Sequence, residues 1–106
     1  MNLPFTVDLS DKVAVITGAG GVLMGQFARV LAACGARVAL LDINEKAVRE
    51  LQKEIGENTL AVPCNCLKKE EIRQAHDAVT AAFGPVNLLI NGAGGNHPSA
   101  TTANET

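Results

Sequence analysis

The chain has 106 residues, 9 basic and 11 acidic for a formal net charge of −2, and no stripe of Lys and Arg that could follow a phosphodiester backbone, so nucleic acid is not expected as a partner. Hydrophobic residues make up 47%, mostly Ala, Val, Leu and Ile, with three Phe, no Trp and no Tyr, a mixture suited to buried parallel strands packed against helices. No apolar run is long enough to span a bilayer, the first dozen residues hold no signal-peptide core, and three cysteines are too few and odd in number for a disulfide scaffold; one small cytoplasmic domain is expected.

Lys12 to Thr17 (KVAVIT) is a short β-branched run that ends in the glycine-rich stretch TGAGGVLMG, the pattern of a buried strand feeding a helix. In the helix that follows, Leu23, Phe27, Val30, Leu31 and Cys34 repeat at helical spacing and are expected to face the core, with Gly35 as the stop. Arg37 to Ile43 (RVALLDI) reads as the second strand. Asn44 caps a charged helix in which Val48, Leu51 and Ile55 face inward, Lys46 and Glu50 are placed to pair, and Gly56 terminates. Thr59 to Cys64 (TLAVPC) is a third strand. Lys69 to Phe83 is a third helix with Ile72, Ala75, Val79, Ala82 and Phe83 as its stripe and Gly84-Pro85 as its terminator, and Val86 to Ile90 is a fourth strand running into NGAGG.

The order βαβαβαβ, with a helix in every connection, predicts parallel strands joined by right-handed crossovers. The fold class is therefore α/β, a Rossmann-type sheet of strand order 3-2-1-4 with flanking helices, its ligand crevice opening between strands 1 and 4 at their carboxyl ends. Both glycine-rich turns fall at that crevice. The first, with Gly18, Gly20, Gly21 and the following Val22 and Leu23, can turn backbone N–H groups and the positive end of the helix dipole toward a pyrophosphate. A bare strand-to-helix turn would have a similar composition, so the loop's position after strand 1 carries the weight. Asp42 ends strand 2, where its carboxylate can accept hydrogen bonds from the two hydroxyls of an adenosine ribose and would repel a 2′-phosphate; with no Arg after it, NAD is favoured over NADP. Asn91, Gly92, Ala93 and Gly94 close strand 4 with small residues beside the cofactor path. Cys64-Asn-Cys66 could hold a soft metal in principle, but no second ligand pair lies at suitable spacing, so it reads as two small side chains at a strand end.

These segments, LSDKVAVITGAGG, CGARVALLDIN, VPCN and LLINGAGG, resemble the short-chain dehydrogenase/reductase family from about residue 9 onward. In the family's TGxxxGxG register Thr17, Gly18, Gly35 and Asp42 fit without a gap, and NGAG is similar to its NNAG turn. GGVL and LINGAGGNHPSATT are further similar to the D-mannonate oxidoreductase (fructuronate reductase) type, which interconverts a sugar-acid hydroxyl and ketone with NAD. The resemblance implies an NAD-dependent oxidoreductase with a small sugar-acid substrate, a homo-oligomer, in which Asn65 stands where an Asp usually meets the adenine amino group and Asn91 lines the cofactor ribose.

Two departures qualify it. Val22 and Met24 occupy the second and third loop glycines of that register; the Met24 thioether would either crowd the pyrophosphate or turn toward the core while Gly25 allows the close approach. The family's catalysis rests on a Ser and a Tyr-x-x-x-Lys set well beyond the NNAG turn, and this chain has no Tyr, so no catalytic residue and no metal ligand is assigned within it. His97 as a substitute base is poorly supported, and His76 reads as a surface residue. Residues 1–106 are thus expected to form an NAD-binding Rossmann segment, an incomplete short-chain dehydrogenase/reductase domain whose fourth strand has an open edge. The alternative is a non-catalytic nucleotide-binding module or remnant. An S-adenosylmethionine site would share the first turn and strand-2 acid, but the NGAG turn speaks against it.

Overall fold

A computed structural model describes residues 7–92 of the chain. Seven elements follow in order: β1 (Val13–Thr17), α1 (Val22–Ala33), β2 (Arg37–Asp42), α2 (Glu45–Ile55), β3 (Thr59–Pro63), α3 (Lys69–Phe83) and β4 (Leu88–Asn91). The strands form one parallel sheet of order β3-β2-β1-β4. That order leaves the carboxyl ends of β1 and β4 side by side, with Thr17 opposite Asn91, and sets Asp42 opposite Pro63 at the end of β2.

Side chains of a strand alternate between its two faces, and in β1 and β2 both faces are covered, which is why their sequences are continuously apolar. Ile16, Val38 and Leu40 enter one cluster with Ala28 of α1 and Val48 and Leu51 of α2. Val13, Val15, Ala39 and Leu41 enter the other with Ala75 and Val79 of α3. The register of β1 against β2 is held by this double burial, because a slip of one residue would exchange the two sets.

Local chemistry explains the element ends. The Asn44 side chain accepts from the Ala47 amide at 3.1 Å, capping α2, and an i,i+4 ion pair of this helix joins Glu45 to Arg49 at 2.8 Å, one residue earlier than the Lys46–Glu50 pairing that spacing suggested. The fourth strand begins at Leu88, two residues later than its hydrophobic run. Asn87 takes over the ladder instead: its side-chain oxygen accepts from Val13 N at 2.8 Å while its own amide donates to Val13 O at 2.9 Å.

The largest departure from periodicity lies on α1. Its buried residues are Gly25 and Ala28, flanked by the half-buried Met24, Leu31 and Ala32, whereas Leu23, Phe27 and Val30 are exposed, at 66%, 42% and 37%. The reason is distance: a face that packs close to the sheet admits small residues, so the large apolar ones fall on the outer face. On α3 likewise Ala75 and Val79 are buried, while Ile72 and Ala82 are exposed.

Candidate functional site

Between the carboxyl ends of the strands lies a cleft of about 400 Å³, within the range of small-molecule sites, lined by Gly18, Gly21, Asp42, Asn65 and Gly92 together with Ile43, Cys64, Cys66 and Leu67. Five residues expected at a cofactor site from the sequence are thus brought together from four separate chain segments.

The turn after β1 is built to present backbone. Gly18 has a φ of 68°, and its carbonyl accepts from Gly21 N at 3.0 Å, which closes the turn. Helix α1 then starts at Val22 with Gly21 as a cap that offers no side-chain acceptor and with no acidic residue in its first turn. The amides of Val22, Leu23 and Met24 have no intramolecular acceptor among the described residues. Orphan donors at the positive end of a helix are what an anion neutralises, and a Cβ at Gly21 would meet nothing nearer than the Gly18 carbonyl at 3.5 Å, so the approach to them is open.

Asp42 is fixed by the same turn. Its Oδ2 accepts from Gly20 N at 2.8 Å and its Oδ1 from Asn44 N at 2.9 Å. Each oxygen keeps lone-pair capacity for a further donor, and the orientation is set by backbone amides rather than by a flexible cation. Gly20 is required here: a Cβ would stand 2.9 Å from both Asp42 Oδ2 and Ala47 Cβ, so any side chain would push the loop off α2 and off the carboxylate.

The opposite wall is a turn after β3. Asn65 Oδ1 accepts from Leu67 N at 3.0 Å, its amide donates to Glu71 Oε1 at 2.7 Å, and its carbonyl accepts from Lys68 N at 3.0 Å. The turn is thereby tied to α3. Leu67 and Ile43, 83% and 71% exposed, stand at the cleft as apolar surface flanking the polar floor. Sequence reasoning passed over both, although a lone Ile directly after the strand-2 acid, outside any amphipathic pattern, is the signal that marks one of them.

Met24 turns inward. It packs on the core cluster of the α1–α2 side and against Gly92, where a Cβ would fall 2.5 Å from its Sδ and 3.0 Å from Thr17 O. Of the two orientations open to it, the one toward the core is adopted. Gly25 faces Leu51 of α2 with ordinary contact distances, so the close approach in this region belongs to Gly92. Thr17, used above only to set the register, is a joint of the site: its hydroxyl donates to Asn91 Oδ1 at 2.6 Å, and its Oγ1 and backbone oxygen accept from Gly92 N at 3.0 and 3.1 Å. The end of β1 is thus locked to Asn91 and Gly92 at the end of β4.

Not every expected residue lines the cleft. Val22 and Leu23, 85% and 66% exposed, stand at the open start of α1 and are not among the residues that line the cleft. Asn91 lies beside an apolar hollow of about 230 Å³ that β1 and β4 share with α3. Ala93, Gly94 and His97 lie outside the described residues. His76 is on the surface of α3, 3.9 Å from Asp77. Among the described residues no three His, Cys, Asp or Glu side chains converge as a metal site, and no helix is long and apolar enough to cross a membrane.

A glycine turn after β1, an acid at the end of β2 and Gly92 at the end of β4, all at one end of a parallel 3-2-1-4 sheet, give the arrangement of a Rossmann-type segment. Comparison with known proteins makes this specific: the short chain dehydrogenase family profile matches residues 12–106, and the chain belongs to that family. It is 44% identical to an uncharacterized oxidoreductase of Haemophilus influenzae and 42% identical to one of Bacillus subtilis, over 99% and 98% of this chain. It spans 38% of the length of each. Among solved structures, a provisionally named D-mannonate oxidoreductase from Haemophilus influenzae with bound NAD superposes with a TM-score of 0.81 at 43% identity, covering 90% of this chain and 35% of that one. A 3-ketoacyl-(acyl-carrier-protein) reductase from Brucella melitensis complexed with NADH gives 0.76 at 34% identity, covering 77% and 34%.

Proposed function

We propose that this chain is the NAD(H)-binding part of a short chain dehydrogenase that, as a whole protein, interconverts the hydroxyl and ketone of a small sugar acid of the D-mannonate/D-fructuronate type, in the cytoplasm and as a homo-oligomer. One observation carries the cofactor reading. Gly21, which opens α1 without a side-chain cap, and Asp42 line the same cleft, and Gly20 N ties the loop to the Asp42 carboxylate, so an anion and a diol separated by a short linker would be recognised together. In this reading the first-turn amides of α1 would meet the pyrophosphate, Asp42 the adenosine ribose, Ile43, Leu67 and Asn65 the adenine, and Asn91 and Gly92 the path to the nicotinamide ribose. Bound there, NAD would supply the hydride acceptor; these residues bind and orient it. Support for the sugar acid comes from the NAD-bound D-mannonate oxidoreductase neighbour.

Titration with NADH and NADPH tests the reading directly. NADH should bind more tightly, about tenfold or more, because a 2′-phosphate would meet the Asp42 carboxylate, and Asp42→Ala should weaken NADH and narrow the preference. Equal binding of both by the native protein would remove Asp42 from the role.

A further inference from the structure

Cys64 and Cys66 have no part in the cofactor reading, yet both line the cleft, and their Sγ atoms are 3.6 Å apart. We infer that they form a dithiol redox site on the adenine side of the cleft, closed to a disulfide by a hydroperoxide and reopened by a dithiol, whose oxidised state weakens nucleotide binding. The gating half of this inference rests on the cofactor reading above.

The geometry is close to what a disulfide needs. Residues two apart are separated by at most about 7 Å along an extended chain, the upper limit of Cα separation for a disulfide. The chain leaves β3 before Cys64 and turns at Cys66, and this turn brings the two sulfurs within hydrogen-bond distance of each other. Closing from 3.6 Å to a bond of about 2.05 Å requires one side-chain adjustment and a small shift of the turn. Access is asymmetric. Cys64 is 7% exposed, and burial, then its hydrogen bond to Cys66, push its thiol up to about 12, whereas Cys66 is only half-buried and also borders the hollow beneath α3. Oxidation therefore starts at Cys66. Its sulfur attacks the peroxide, taking one oxygen as a sulfenic acid and releasing the hydroperoxide's alcohol, or water from hydrogen peroxide; Cys64 Sγ then attacks that sulfur, and the hydroxide leaves with the Cys64 proton as water. Two thiols lose two electrons and the peroxide gains them.

Coupling to the cleft follows from what lies between the two sulfurs. Asn65 is held by Leu67 N, Lys68 N and Glu71, so drawing Cys66 toward Cys64 pulls on the turn that forms the adenine wall. A disulfide found in a reducing compartment is characteristically transient and regulatory, which suits a pair of this kind.

The test treats the purified protein with hydrogen peroxide, counts thiols after denaturation, maps the link by peptide mass spectrometry, and titrates NADH before oxidation, after it, and after dithiothreitol. The expected result is loss of two of the three thiols, an intrachain 64–66 peptide lighter by two hydrogens, and NADH binding weaker by about 5- to 100-fold until the dithiol restores it. Cys66→Val should show one NADH affinity with and without peroxide. Stable sulfinic acid at Cys66, cross-linked chains through Cys34, or a 64–66 disulfide with undiminished NADH binding would overturn the inference. If the reduced protein bound no NADH at all, the cofactor reading and the gating would fall together, while the peptide mass would still decide whether the link forms.

Discussion

Two regions of this molecule obey the same sequence rules with opposite results. In the β2–α2–β3 unit, the residues that periodicity turns inward are inside: Val38, Ala39, Leu40 and Val48 are fully buried, Asn44 caps its helix, and Gln52 Oε1 accepts from Ala61 N at 3.0 Å to bind helix to strand. Across α1, α3 and β4, residues of the same apolar type and spacing stay out. Leu23, Phe27, Val30, Ile72, Leu88 and Leu89 are all exposed by more than a third. The contrast teaches that an apolar stripe records a demand for a partner layer, and that burial, worth roughly 25 cal/mol per Å² of apolar surface, arises only where the fold supplies one.

The sharpest way to break this contrast is to truncate one residue from each region. Leu40→Ala should destabilise by about 2–5 kcal/mol, because it opens a cavity between two packed layers. Phe27→Ser should change stability by no more than about 0.5 kcal/mol. Urea unfolding compares them, and equal losses would mean that the outer face of α1 is covered in solution.

Neighbouring glycines of the first turn make a second contrast. Gly20→Ala, with no room against Asp42 and Ala47, should cost about 1–3 kcal/mol and lower NADH affinity, while Gly21→Ala meets open space and should fold normally. Melting curves and NADH titration of the pair would sink the reading of the loop if the two behaved alike. Gly92→Ala should cost about 1–2 kcal/mol through its contact with Met24 and Thr17 O, and Met24→Ala should recover part of it. Additive losses in the double variant would show that Met24 does not rest on the turn.

Smaller effects belong to the surface of the well-packed region. Asn44→Ala removes a cap and should cost about 1 kcal/mol, measured by thermal unfolding. The smallest concerns Glu54, whose carboxyl the Arg29 guanidinium, hydrogen-bonded at 2.6 Å, holds below its ordinary value of 4.5. A depressed folded-state value stabilises the fold above that ordinary value and loses the contribution as pH falls through the lowered one. Glu54→Gln should therefore flatten the acid limb of the stability curve slightly, by lowering stability a little at neutral pH and leaving it unchanged at low pH; salt should mask the difference.

Much of the site was legible because its signals are local. Gly18, Gly20, Gly21 and Asp42 could be placed from spacing alone, since a turn after one strand and an acid after the next are fixed by chain geometry once the sheet is parallel. Thr17, Ile43 and Leu67 were not found that way. Their parts depend on which segments meet across the strand ends: Thr17 matters only because β4 pairs with β1, bringing Asn91 within reach of its hydroxyl, and Leu67 only because the turn after β3 lies over the end of β2.

The sequence by itself determined the alternation of strand and helix, the ends of α2 and α3 and the strand order, because hydrophobic period, capping residues and crossover length act over a few residues at a time. Only the tertiary structure decided which face of α1 is inside, where Met24 points, and that two cysteines aim at each other beside the cleft. Those outcomes depend on interlayer distance and on the atoms that happen to stand opposite, and a one-dimensional pattern carries neither.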